Sequence, residues 1–146
     1  GGAAKAAALA LAQAGCRVTV CARTPEKAAA LAARCGGVTV SWEDLPRAAA
    51  EHGLLLNATP LGMEGSPEFE SLDFVQALPT KAVVYDLVYH PTDTALLRAA
   101  GSRELTAVGG LALLVQQAAL AFAHFTGIVP DAALCRNILQ ELEAAQ

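Results

Sequence analysis

The chain has 146 residues, the length of one ordinary domain with a core of its own. Hydrophobic residues make up 54% and charged residues 16%, which excludes a disordered chain. Ten Lys and Arg against fourteen Asp and Glu give a net charge of −4, which argues against nucleic acid as the main partner. No apolar run reaches the roughly 20 residues of a membrane helix, so no membrane partner is expected either.

The four cysteines are Cys16, Cys21, Cys35 and Cys135. They have no CxxC spacing and no His at the distance typical of a zinc site, so they predict neither a metal site nor a redox pair. We expect them to be small, buried core residues in a reducing cytoplasm, where thiols stay free.

The first half of the chain alternates helices with short strands. Small apolar residues predict a helix over Ala3–Ala14 that is buried against a sheet and ends at Gly15. The next predicted elements are a strand over Arg17–Ala22, a helix from Pro25 to Cys35, a strand over Val38–Ser41, a helix over Glu43–His52 and a strand over Leu54–Asn57.

A loop with several Gly and Pro residues follows as far as Glu70, and its composition argues against regular structure. The remaining predicted elements are a strand over Ala82–Leu87, a helix over Thr94–Ala100, a strand over Leu105–Val108, and helices over Gly110–Phe125 and Asp131–Ala145. Short apolar strands that alternate with helices of this length predict an α/β fold with a parallel sheet.

The start of the chain is unusual for such a sheet. In the doubly wound order 3-2-1-4-5-6, the strand that leads into the glycine-rich turn is the central one. Here Gly1 and Gly2 run directly into a helix. We therefore expect a three-layer, doubly wound (Rossmann-like) and mostly parallel sheet that lacks its first, central strand, within one domain over 1–146 of a longer protein.

Two stretches of the first half are candidates for binding a nucleotide. Gly1-Gly2-Ala3 opens a helix with small residues, and the free N–H groups and dipole of a helix start favour a phosphate. Arg23, Thr24 and Lys27 stand where a protein for NAD usually places a carboxylate. A guanidinium, a hydroxyl and a second cation suit the 2′-phosphate of NADP, so the pattern favours NADP over NAD. The alternative is a solvated helix start.

Asn57–Met63 and Tyr85–Pro91 follow the ends of two predicted strands, at the edge where parallel sheets bind ligands. The first stretch has a simple turn as its alternative. In the second, Tyr89 is the candidate for pointing a hydroxyl at a ligand, whereas His90 fits a surface turn better than a general base. Tyr85 and Asp86 fit the strand itself.

The helix after Gly110 carries two adjacent amides, Gln116 and Gln117. If one side of this helix is divided between core and crevice, one glutamine faces inward. A buried amide needs partners, so that glutamine would bind either substrate hydroxyls or a backbone carbonyl.

Taken together, these stretches resemble the NADP-binding half of the shikimate dehydrogenase family over essentially the whole chain. Gly1-Gly2-Ala3-Ala4 resembles the tail of the loop that cradles the pyrophosphate, and Ala22-Arg23-Thr24 with Lys27 resembles the adenosine-phosphate clamp. Asn57–Met63 closely matches a family segment, and the match implies that Thr59 lies along the cofactor.

The resemblance also implies roles near the reacting atoms. Leu87 and Gly110 would lie beside the nicotinamide, with Leu113 as part of its apolar wall, and Tyr89 and Gln117 would contact the substrate. The chain departs from the family motifs at four positions, where Ala22, His90, Gly109 and Leu113 stand in place of Asn, Asn, Asp and Met.

The activity that the resemblance implies is hydride transfer between NADPH and 3-dehydroshikimate, giving shikimate in the chorismate route to aromatic amino acids. The family's catalytic Lys and Asp belong to an N-terminal substrate domain, so we expect no catalytic residue in this chain and no activity from it alone. The terminal helix over Asp131–Gln146 is a candidate to pack toward that missing domain, and a homodimer is left open. The alternatives are a non-catalytic nucleotide-sensing domain and an enzyme that also accepts quinate.

Overall fold

A computed structural model describes residues 1–145 and gives an alternation of helices and short parallel strands. Every strand pairing among these residues is parallel, which confirms the predicted α/β class. The strands form two sheets, and the chain divides into two compact units. The first unit is Gly1–Gly53 with Ser71–Ala82, and the second is Leu54–Glu70 with the chain from Val83 onward.

The first unit contains a two-stranded sheet and four helices. The strands are β1 (Thr19–Cys21) and β2 (Val38–Val40), and the helices are α1 (Gly2–Gln13), α2 (Pro25–Cys35), α3 (Leu45–Ala49) and α4 (Asp73–Ala77). Helix α2 packs on both strands and on α1, and α3 packs on α4. The small side chains of Ala28 and Ala32 are buried on α2, which allows this close packing.

The second unit contains a sheet in the order β3-β4-β5. Its elements are β3 (Leu54–Asn57), β4 (Val83–Asp86), α5 (Ala95–Gly101), β5 (Thr106–Val108), α6 (Gly110–Thr126) and α7 (Ala132–Ala144). Helix α5 packs on β4 and β5 through Leu96 and Ala100, which are almost fully buried with Val84. The parallel pairing within each sheet is that of an α/β fold; the predicted absence of a central strand stays a prediction.

Helix ends follow the local chemistry of the sequence. Gly36 ends α2 in the left-handed conformation, at a φ of 65°, which glycine adopts without steric cost. Thr94 and Asp131 cap α5 and α7, because their side-chain oxygens accept from the backbone N–H groups of Leu97 and Leu134.

Two predicted elements differ from the structure in extent. The helix predicted over Glu43–His52 is only α3, because Ser41 and Asp44 bond to each other in a turn before it. Helix α4 was not predicted, since five residues are too few to establish a hydrophobic period.

Burial also differs from expectation. Helix α1 was predicted to be buried against a sheet, but Ala8 is its only buried residue, and the helix packs on α2. Among the cysteines only Cys135 is buried; Cys16 is exposed, and Cys21 and Cys35 are half-buried. All four are free thiols. Gln146, the last residue of the predicted terminal helix, lies outside the described residues.

None of the helices within residues 1–145 is both long enough and apolar enough to cross a membrane.

Candidate cofactor and substrate site

Polar side chains meet at the carboxyl ends of β3 and β4 in the second unit. The two strands are parallel neighbours, and their register places Asn57 opposite Asp86. Because parallel strands end at the same edge of a sheet, both residues stand where the following loops begin. Asn57 is 5% exposed and Asp86 is fully buried.

The carboxylate of Asp86 accepts hydrogen bonds from three segments of the chain. Oδ1 accepts from Asn57 Nδ2 at 2.9 Å and from the Val88 backbone N–H at 3.0 Å, and Oδ2 accepts from Thr94 Oγ1 at 2.8 Å. Thr94 is itself buried, and its Oγ1 accepts from Leu97 N at the start of α5. A buried carboxylate is tolerated only with such donors, so this group fixes β3, the loop after β4 and α5 to one another.

Asn57 organises the loop that follows β3. Its Oδ1 accepts from the Thr59 backbone N–H at 3.0 Å and from Thr59 Oγ1 at 2.6 Å, and its Nδ2 also donates to the Leu61 carbonyl at 3.3 Å. Thr59 Oγ1 in turn accepts from Leu61 N. The turn predicted as the alternative is therefore present, but it is locked to β4 through a buried amide. The Thr59 hydroxyl and backbone N–H are both committed inside the loop, so its carbonyl and methyl group are what Thr59 has left for other contacts, and its place along a cofactor stays a prediction.

Gly110 joins the start of α6 to the loop after β4. Its N–H donates to the Val88 carbonyl at 3.1 Å. A Cβ at Gly110 would lie 2.6 Å from the Leu87 carbonyl carbon and 2.7 Å from the Val88 oxygen, so only glycine fits without a shift of backbone. The structure thus brings together Leu87 and Gly110, two residues that the resemblance assigns to the nicotinamide.

The substrate-side candidates are all solvent-accessible. Tyr89 is 47% exposed, and its hydroxyl makes no hydrogen bond within residues 1–145. Gln116 and Gln117 are both exposed, so neither is buried in the core of this unit, and a glutamine that faces the crevice stays a prediction. Helix α6 buries Gly110, Leu111 and Val115. Gln117, seven residues after Gly110, lies on the Gly110 side of the helix, whereas Gln116 lies on the opposite side. Leu113 is half-buried on the same helix.

His90 lies on the surface turn that the sequence predicted, and it has a partner that the sequence did not predict. Its Nε2 pairs with the carboxylate of Glu64, and the Glu64 backbone N–H donates to the His90 carbonyl at 3.1 Å. The pair could not be found from the sequence, because 26 residues separate its members. Thr94 was recognisable as a helix cap, but its bond to Asp86 carried no local signal.

The candidate phosphate-binding residues all lie in the first unit. Gly1-Gly2-Ala3 is exposed at the start of α1, where Gly1 makes no side-chain cap and a Cβ at either glycine would meet open space. Glycine and alanine bring no side chain larger than a methyl group to this first turn, which suits phosphate binding at a helix start.

Arg23, Thr24 and Lys27 lie between β1 and the first turn of α2. Thr24 is the N-cap residue with an extended backbone, yet its hydroxyl makes no capping bond. Arg23 and Lys27 are exposed, and neither has an ion-pair partner within the described chain. Burial raises the pKa of the Cys21 thiol, which keeps it neutral and adds no negative charge beside Arg23. These groups are free to bind an anionic ligand; their role toward a 2′-phosphate stays a prediction.

The chain is similar in sequence to shikimate dehydrogenases. Residues 110–140 match the family described as "Shikimate 5'-dehydrogenase C-terminal domain". The chain is 47% identical over 144 residues to the NADP(+) shikimate dehydrogenase of Acidiphilium cryptum, and the match covers 97% of this chain and 51% of that relative. It is 44% identical over 131 residues to the corresponding enzyme of Thermus thermophilus, covering 90% of this chain and 48% of the relative.

Solved structures show the same relationship. The shikimate 5-dehydrogenase of Thermus thermophilus in complex with NADP(H) and shikimate superposes with a TM-score of 0.80 at 38% identity, covering 97% of this chain and 52% of that one. The quinate dehydrogenase of Corynebacterium glutamicum in complex with NAD gives 0.83 at 31% identity, with 97% and 52% covered. The chain therefore spans about half the length of the relatives that it matches, and the predicted resemblance to the C-terminal part of shikimate dehydrogenases is confirmed.

Thr94→Val tests the buried network, because it keeps the shape of the side chain and removes its hydrogen bonds to Asp86 and Leu97. We expect the free energy of unfolding, measured by urea denaturation, to fall by about 2–3 kcal/mol. Thr106→Val, at an exposed position of β5, is the control and should change it by less than about 0.5 kcal/mol. Equal effects of the two substitutions would contradict the network.

Gly110→Ala tests the close approach of α6 to the loop after β4. The added methyl group must displace the Leu87 carbonyl, so we expect a loss of about 1–3 kcal/mol in thermal or urea unfolding. Gly101→Ala is the control, since a Cβ there meets nothing within 4 Å at the end of α5. That change should be neutral or slightly stabilising, and a tolerated Gly110→Ala would show that the contact is loose.

Proposed function

We propose that this chain, a homologue of the C-terminal half of shikimate dehydrogenases, is the NADP-binding domain of an enzyme that interconverts 3-dehydroshikimate and shikimate. The strongest support from the structure is the contact between Gly110 and Leu87. The resemblance assigns both residues to the nicotinamide from separate motifs, and the fold places them against each other. The identity of 47% to an NADP(+) shikimate dehydrogenase supports the same activity.

The residues of the chain fit a dinucleotide in three places. The N–H groups of Gly1-Gly2-Ala3 would hold the pyrophosphate, and Arg23, Thr24 and Lys27 would hold the 2′-phosphate. Leu87, Gly110 and Leu113 would form an apolar surface for the nicotinamide, with Thr59 along the cofactor. Bound NADP supplies the hydride chemistry itself.

The substrate would be contacted by the hydroxyl of Tyr89 and the amide of Gln117. Both groups are exposed and make no hydrogen bond within the described residues, so they are available to substrate oxygens. We assign no acid or base to this chain. The proton of the reacting hydroxyl would be handled by the Lys and Asp that the resemblance places in a substrate domain, and the 146-residue chain alone would therefore be inactive.

Exposed apolar side chains on α6 and just after it are evidence for a second domain that covers them. Leu120, Phe125 and Val129 are 71%, 84% and 79% exposed, and apolar side chains in such numbers are typical of a covered surface. We propose that the substrate domain covers this surface in a protein as long as its relatives.

Within residues 1–145, β1 pairs only with β2 and β3 only with β4, so each has an edge free for a strand from that longer protein. Four free thiols suit a cytoplasmic protein.

The cofactor assignment is tested by the choice between NADPH and NADH in the full-length protein. We expect 3-dehydroshikimate to be reduced far better with NADPH. Arg23→Asp should raise the KM for NADPH by about 10- to 100-fold, with a much smaller change in kcat, because it removes a charge-assisted bond to the 2′-phosphate.

Arg34→Asp is the matched control, since it reverses the same charge near the other end of α2 and should leave the KM for NADPH unchanged. Equal rates of the wild-type protein with NADPH and NADH would contradict the role given to Arg23.

The substrate assignment is tested at the adjacent glutamines. Gln117→Ala and Tyr89→Phe should each raise the KM for 3-dehydroshikimate by about tenfold, the scale of one lost hydrogen bond. Gln116→Ala, the neighbour on the same helix, should not. Unchanged turnover in both site variants would instead favour a nucleotide-sensing domain without catalysis.

A further inference from the structure

The two loops that carry the candidate site are tied together at their base. The ladder between β3 and β4 continues one step beyond the strands, because the Leu87 N–H donates to the Asn57 carbonyl at 3.0 Å. The side-chain bond between Asn57 and Asp86 reinforces the same point. Beyond the Asn57–Leu87 bond, the two loops no longer pair as neighbouring strands.

A second tie joins the loops further out. The Glu64 N–H donates to the His90 carbonyl at 3.1 Å, and the imidazole Nε2 of His90 is in contact with the Glu64 carboxylate. The backbone bond does not depend on which residues stand at these positions. The side-chain pair does, so it is specific to sequences with an acceptor at 64 and a donor at 90.

The candidate site residues of the two loops lie between these two ties. Thr59 belongs to the loop after β3, and Leu87 and Tyr89 belong to the loop after β4. The distance between the cofactor side and the substrate side of this unit therefore depends on both ties, and the outer one is adjacent to Tyr89 in the sequence.

The outer pair is too exposed to matter much for stability. The side chains of His90 and Glu64 are 54% and 72% exposed, and ion pairs in such surroundings contribute little to folding. Its effect on a reaction is different, because a small displacement of reacting groups lowers the rate even where the fold is unchanged.

We propose that Glu64 and His90 are positioning residues, whose side-chain pair sets the place of Tyr89 relative to the Thr59 loop and so aligns the substrate with the nicotinamide. This inference rests on the proposed function. Neither residue touches the reacting atoms, so the pair acts through Tyr89 alone.

The test is a double-mutant cycle in the full-length protein. His90→Ala and Glu64→Ala should each lower kcat for 3-dehydroshikimate reduction by about 2- to 5-fold, the range of an exposed ion pair. The double variant should lose no more than either single one, because only one interaction exists to be removed.

With NADPH deuterated at the transferred position, the isotope effect on kcat should rise in the variants, since misalignment slows the hydride step.

Glu64→Gln, which keeps an acceptor for the imidazole, should recover part of the rate. The control is the Arg98–Asp93 pair of the same unit, which is 3.0 Å apart and has similar exposure, 59% and 70%. Replacing both of its members with alanine should leave kcat and the isotope effect unchanged. Additive losses in the cycle, or losses no larger than those of the control, would overturn the proposal.

A second measurement does not depend on activity. Loss of the outer tie should speed amide hydrogen exchange at Glu64 and in the loop around Tyr89 in the His90→Ala variant, and not in the Arg98→Ala variant. Exchange unchanged by His90→Ala would overturn the proposed pair. A wild-type protein that fails to reduce 3-dehydroshikimate, with exchange responding as expected, would overturn the proposed function and leave the tie between the loops established.

Discussion

The buried carboxylate of Asp86 is the constraint on which the second unit depends. A charge with no solvent contact is stable only if donors surround it, and its three donors come from the end of β3, the loop after β4 and the cap of α5. Val88 and Thr94 follow Asp86 closely in the chain, but Asn57 is separated from it by 29 residues, so the carboxylate is fully satisfied only when β3 has paired with β4. Folding of this unit and formation of its candidate site are therefore one event.

The same constraint changes how the sequence motifs are understood. Asn57 and Asp86 belong to motifs that were predicted at the ligand edge of a parallel sheet. In the structure their polar atoms are used up by neighbouring loops, and the surfaces left for a ligand are backbone, small side chains and the apolar Leu87. The glycine at 110 fits this design, since it lets a helix start against a loop with no side chain between them. Within these motifs, Asn57 and Asp86 hold the two loops in place, and their polar atoms are not available to a ligand.

The sequence predicted the features that depend on a few neighbouring residues, such as where helices begin and end. Thr94 was identifiable as a helix cap and Gly36 as a helix end, because each signal depends on a few neighbouring residues. Burial was harder to predict: α1 is apolar almost all round, yet only Ala8 is covered, since composition does not say how many elements pack around a helix. For the site, the resemblance assigned Leu87 and Gly110 to the nicotinamide, and the structure brings these two residues together, while the partner of His90 depends on a contact across 26 residues that no local pattern encodes.

The candidate residues of the two units differ in how many contacts they make with the rest of their unit, and this difference affects how cofactor choice could be set. The loops of the second unit are bound to a buried charge, so a substitution there disturbs the fold. Arg23 and Lys27 extend from an exposed helix start and make no ion pair within the described residues, so they can be replaced at little cost to folding. A quinate dehydrogenase in complex with NAD shares this fold closely, which agrees with a framework that does not itself fix the cofactor. Selectivity for the 2′-phosphate would then be set by a few exposed side chains, while the position of the nicotinamide would be set by the buried network.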